Sequence, residues 1–131
     1  MRIIAMKKLV LLLVTLVWMM GLWLPAYSAT NAKLDSLVAK IDRLENYVFD
    51  NNWQEIRTFI RGPLGEVRRD IALLQRELPS PQRSALKSAS SQFFNDLIAL
   101  DFAALNQNSN ATEAAFKTLR VDLNKMIEAV E

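Results

Sequence analysis

Whatever chemistry this chain performs must rest on acids and arginines, because its 131 residues include no histidine and no cysteine. A hydrolase or transferase needs a nucleophile beside a base, a paired acid and base, or a metal, so only a carboxylate site remains open. The candidates are Asp96 with Asp101, or Asp122 with Glu128. None stands in the Glu-x-x-His pattern of a di-iron bundle, and their setting reads as solvated surface acids. Composition excludes disulfides, thiol chemistry, histidine-ligated haem and ordinary zinc sites. No catalytic, cofactor-binding or metal-ligating residue is therefore expected, and no small-molecule substrate.

Organised charge is found in one segment, Trp53 to Leu78, which holds Arg57, Arg61, Arg68, Arg69 and Arg76 and no lysine. At 100° per residue Arg57, Arg61 and Arg68 fall within about 40° of one another, and Arg69 and Arg76 lie about 100–120° from Arg57. Glu55, Glu66, Asp70 and Glu77 gather on the back of the same helix. Guanidinium forks suit bidentate recognition of carboxylates on a partner. Intrahelical pairs on a solvated face, worth ~0.2–0.5 kcal/mol each, are the plain alternative, and the pattern leaves both open. The candidate partner-binding residues are Arg57, Arg61, Arg68 and Arg69. Tyr47, Phe49, Phe59, Phe94 and Phe102 lie beside the apolar stripes, where thickening of the core is the simpler reading.

Four amphipathic stretches must position these groups. Leu34, Leu37, Val38, Ile41, Leu44 and Val48 keep the three-and-four spacing of one buried helix face, ended by Asp50-Asn51-Asn52. The second face reads Trp53, Ile56, Ile60, Leu64, Val67, Ile71, Leu74 and Leu78. Its phase continues across Gly62-Pro63, which predicts one long helix kinked, not broken, at Pro63. Ser80 is the expected N-cap of the third helix, with Pro81 at its first position. Leu86, Ala89, Phe93, Leu97, Leu100 and Ala104 form its apolar face. Asn110-Ala111-Thr112-Glu113 resembles a capping box opening the fourth, whose face is Phe116, Leu119, Leu123, Met126, Ile127 and Val130. The fold class expected is all-α, an up-down-up-down four-helix bundle.

Before that bundle, Arg2, Lys7 and Lys8 precede an apolar run from Leu9 to Leu24 and the small residues of Pro25-Ala26-Tyr27-Ser28-Ala29. This is the pattern of a secretory signal peptide, 1–28, with the domain at 29–131; retention of the run as an anchor is the alternative. Removing those three cations from 16 basic residues leaves 13 against 14 acidic ones, so the formal +2 becomes about −1. The basic stripe that nucleic-acid binding needs is then absent, and no nucleic acid is expected as a partner.

The run from Asn52 to Asp70 resembles the signature of the PsbQ family, the extrinsic Q subunits of photosystem II, and most closely its cyanobacterial branch. Trp53, Ile60, Gly62, Pro63, Leu64, Gly65, Arg68, Arg69 and Asp70 match residue by residue. The resemblance covers about 80 residues, of which the second-helix segment is the specific part. It implies a four-helix bundle in the thylakoid lumen, peripheral to the thylakoid membrane, partnered by the photosystem II core and other extrinsic lumenal subunits. It also implies a non-catalytic role that supports the surroundings of the manganese, calcium and chloride cluster without ligating it. Two departures matter: the chain lacks the lipobox cysteine common among cyanobacterial relatives, and it has no histidines for the zinc some relatives hold. The rival reading is an exported helical adaptor or assembly factor unrelated to photosynthesis.

Overall fold

A computed structural model describes residues 24–131, with side chains from residue 32 onward. The segment 1–28 read as a signal peptide lies outside the residues whose side chains are described. The chain divides between Lys33 and Leu34, and the bundle is the unit Leu34–Glu131. Its helices are α1 (Leu24–Phe49), α2 (Trp53–Arg61), α3 (Val67–Glu77), α4 (Ser80–Leu105) and α5 (Ser109–Val130), with no strand among the described residues. The architecture is the expected all-α bundle, with α2 and α3 together filling the place of the second helix.

Periodicity places the core. Leu34, Leu37, Ile41, Leu44 and Val48 of α1 are buried, as are Leu86, Ala89, Phe93, Leu97, Leu100 and Ala104 of α4. Phe116, Leu119, Leu123 and Met126 complete the core from α5, while Ile127 and Val130 pack half-buried against it. Each such large apolar side chain removed from water contributes about 1.5–3 kcal/mol. Phe59, one of the rings beside the apolar stripes, lies in the core, where it meets the edge of Tyr47 at 5.8 Å.

The expected single kinked helix is corrected to two helices separated by a turn. α2 ends at Arg61 and α3 begins at Val67. Pro63 has no N–H to give the Phe59 carbonyl, so the next residue supplies it: Leu64 N donates to Phe59 O at 3.1 Å. That longer ring and the 2.9 Å bond from Gly65 N to Gly62 O wind the backbone out of α-geometry. Leu64 nonetheless stays buried, as do Ile56, Val67, Ile71 and Leu74. The break therefore preserves the phase of the apolar face, and phase alone does not reveal it.

Two turns at one end of the bundle share a design. After α1, Asn51 takes φ 51° and Asn52 N donates to Tyr47 O at 3.0 Å; after α4, Gln107 takes φ 51° and Asn108 N donates to Ala103 O at 3.1 Å. Both are left-handed helix endings that satisfy otherwise orphaned carbonyls. In each, the following asparagine caps the next helix: Asn52 accepts from Glu55 N at 3.3 Å and Asn108 from Ala111 N at 3.1 Å. Ser109 Oγ joins the turns by donating to Asn51 Oδ1 at 3.0 Å.

The expected caps move accordingly. Asn108, not Asn110, opens α5, and Thr112 is buried with its hydroxyl donating to Asn108 O at 2.6 Å. The N-cap position of α4 is Pro79, whose carbonyl accepts from Arg83 N at 2.9 Å, so Ser80 is already helical. Pro81 still lies in the first turn, where its missing N–H costs nothing. Arg83 closes the α3–α4 corner, donating to the carbonyls of Gln75 and Leu78 at 3.0 Å each.

Candidate docking face

The helix-two arginines meet the flank of α4 along an antiparallel seam. Near one end, Arg68 stacks on Phe94 with its guanidinium carbon 4.2 Å from the ring centroid. Midway, Asp101 receives Arg57 Nε at 3.2 Å on Oδ1 and stands 3.5 Å from Arg61 Nη2 on Oδ2. Beyond them Trp53, Gln54, Arg57, Thr58 and Arg61 face Ala104, Leu105 and Gln107 across a groove of about 370 Å³. The descending numbers on α4 follow the ascending numbers on α2 and α3, as antiparallel neighbours require.

Three of the four candidate partner-binding arginines, Arg57, Arg61 and Arg68, thus converge on one seam. The fourth, Arg69, is exposed and contacts no acid among the described residues. Helical geometry accounts for the split, since Arg68 and Arg69 are about 100° apart. Arg57 is held by Asp101 with 27% of its side chain exposed, whereas Arg61 keeps 64% exposed at a longer distance. Arg57 therefore positions Asp101, while Arg61 retains free N–H donors.

The resemblance motif builds this arrangement. Trp53 starts α2 and lines the groove, Ile60 packs half-buried on the core, and Leu64 anchors the turn. Gly62, Pro63 and Gly65 make the turn between Arg61 and Arg68. Asp70 lies in the first turn of α3, where a carboxylate complements the helix dipole.

Three features escaped the reading of the residues. Asp101 is the hub of the arginine pairs, not a solvated acid. Ile98, Phe102 and Leu105 form an exposed stripe on α4, at 60%, 64% and 52% exposure. Their i, i+4, i+7 spacing was available in the sequence as a second apolar line beside the core line. The third is a carboxyl pair between α4 and α5.

Asp122, expected in solvent, is buried, and Asp96 faces it half-buried with its Oδ2 lacking any hydrogen-bond partner among the described groups. Burial first, then the neighbouring, like-charged Asp122, pushes the Asp96 carboxyl up to about 7, with Lys125 pulling the other way. Lys125 Nζ stands 3.4 Å from Asp122 Oδ1. Glu128 is exposed and lines, with Gln92 and Lys125, a shallow cleft whose lining includes neither aspartate. Among the described residues no three acids converge as metal ligands, and no helix is long and apolar enough to cross a membrane.

These features define an all-α, antiparallel helix-bundle protein whose second helix is broken at a glycine-proline turn. The sequence pattern of the PsbQ family, oxygen evolving enhancer protein 3, matches residues 15–131, and the chain belongs to that family. It is similar to the protein CyanoQ of Synechocystis sp. (strain ATCC 27184 / PCC 6803 / Kazusa), with 29% identity over 85 residues. That match covers 65% of this chain and 57% of the relative, so little more than half of the relative's length is spanned.

Proposed function

We propose that this protein is a non-catalytic extrinsic subunit that docks on the lumenal side of photosystem II and stabilises the oxygen-evolving complex. Membership of the PsbQ family is the observation that carries this reading. The segment 1–28 would export the chain, leaving 29–131 as the docking domain peripheral to the thylakoid membrane. Its partners would be the core and the other extrinsic subunits.

Arg61 and Arg68 are the guanidinium groups best placed to meet partner carboxylates, because both are exposed on the seam flank, while Arg69 is exposed about 100° away from it and would serve only as a peripheral charge. Arg57 would act with them by holding Asp101 in place. Exposed charges attract over about 8–10 Å at ordinary ionic strength, so docking through them is salt-labile.

The test is a salt wash of thylakoid membranes, following this chain and oxygen evolution together. Co-purification with photosystem II at low salt and release at high salt are expected. Charge reversal at Arg61 and Arg68 should release the chain without salt. Failure of the unaltered chain to co-purify at low salt would overturn the reading.

A further inference from the structure

The groove between α2 and α4 differs from the rest of this near-neutral bundle in charge. Its lining contributes Arg57 and Arg61 and no acid, and the one carboxylate shared by both, Asp101, lies outside that lining. Two cations against one anion leave a unit of positive charge at the groove. Arg61 has donors to spare, since its one ion pair among the described residues is a long one through Nη2. An incoming carboxylate therefore has both the field and the hydrogen-bond donors to hold it.

The same groove has an apolar rim. Leu105 lines it, and Ile98 and Phe102 continue from Leu105 along the outer flank of α4 at one-turn intervals. Trp53 closes the opposite wall, half-buried. Three exposed large apolar side chains on one helix flank exceed the scattered single ones that are ordinary on a monomer. At about 370 Å³ the space sits at the low end of ligand clefts, about 300–1,000 Å³, and admits a few side chains, not a folded element.

We propose that this groove takes a short polypeptide segment of the docking partner in which an aspartate or glutamate stands beside an apolar residue. The carboxylate meets Arg61, with Arg57 held behind it by Asp101, and the apolar neighbour covers Leu105 and Phe102. This deepens the docking reading and rests on it. Arg69, on the far side of Arg68, lies outside the contact.

The test uses the full chain and salt-washed photosystem II membranes. Phe102→Gln and Leu105→Gln, combined, alter exposed positions, and an unchanged melting curve confirms the fold. Binding is expected to weaken at least about tenfold, as for removal of central apolar anchors. Arg69→Glu should change it less than about threefold, as for a peripheral charge. A photo-crosslinking benzoylphenylalanine at position 105 should label a partner peptide containing Asp or Glu beside an apolar residue. If the unaltered chain binds but the double variant binds equally well, or the label lands on a segment without an acid, the groove assignment is overturned and docking stands. If the unaltered chain does not bind, both fall.

Discussion

A β-carbon added to Gly65 would stand 2.8 Å from the carbonyl oxygen of Arg61 and 3.2 Å from that of Gly62. Both obstacles are backbone, so neither can swing aside as a flexible side chain would. Gly65→Ala is expected to lower stability by about 1–3 kcal/mol in urea unfolding. Gly62→Ala meets only the Thr58 carbonyl, at 3.2 Å, and should cost less. Equal losses at the two positions would refute this account of the turn.

The left-handed residue after α4 is a glutamine, Gln107, with φ 51°. A side chain in that conformation is strained by roughly 1–2 kcal/mol, and glycine is not. Gln107→Gly should therefore raise stability, by about 0.5–1 kcal/mol once the greater freedom of the unfolded glycine chain is deducted. Asn51→Gly should gain less, because asparagine tolerates this region and its side chain accepts the Ser109 hydrogen bond. Thermal melts of both variants decide the order.

Asp96 makes stability depend on pH. Its carboxyl rises from 3.8 to about 7, so the folded state holds a proton that the unfolded state has released. Stability should fall as pH rises between those two values, and the loss is complete above the upper one. Asp96→Asn should flatten the profile and, at about pH 8, stabilise the bundle by about 1 kcal/mol, since no half-buried charge then faces Asp122 and solvent screens part of the effect. An unchanged slope in the variant would show that another group is responsible.

Arg57 and Asp101 are half-exposed and 3.2 Å apart. A double-mutant cycle with Arg57→Ala and Asp101→Ala should give a coupling of about 0.5–1 kcal/mol, reduced by salt. Because Asp101 also faces Arg61, removing the aspartate alone should cost more than removing Arg57 alone. A cycle with zero coupling would mean that the seam is held by packing alone.

The all-α class and nearly every core position were legible in the order of residues. Apolar side chains at three-and-four spacing can be buried together only on one face of a helix, so Ile41, Leu44, Phe93 and Leu119 had one destination. The exclusion of thiol and imidazole chemistry was equally direct, being a matter of composition. Local rules predicted that α1 would end near Asn51 but misplaced the caps of α4 and α5 by one or two residues. Several neighbouring residues could cap, and backbone geometry selects among them.

Contacts between helices required the tertiary structure. The sequence by itself determined that Arg57, Arg61 and Arg68 share a flank, since helical geometry spaces them so, but not that Asp101 and Phe94 would meet that flank. Those partners are 44 and 26 positions away, and only the register between antiparallel helices brings them together. The same holds for Asp96 and Asp122: each is an unremarkable acid in its own helix, and only the packing of α4 on α5 sets the Asp96 carboxyl against Asp122. At Pro63 the periodic code is silent for a related reason. A turn that hands the Phe59 carbonyl from one amide to the next leaves the apolar phase intact, so the break exists only in three dimensions.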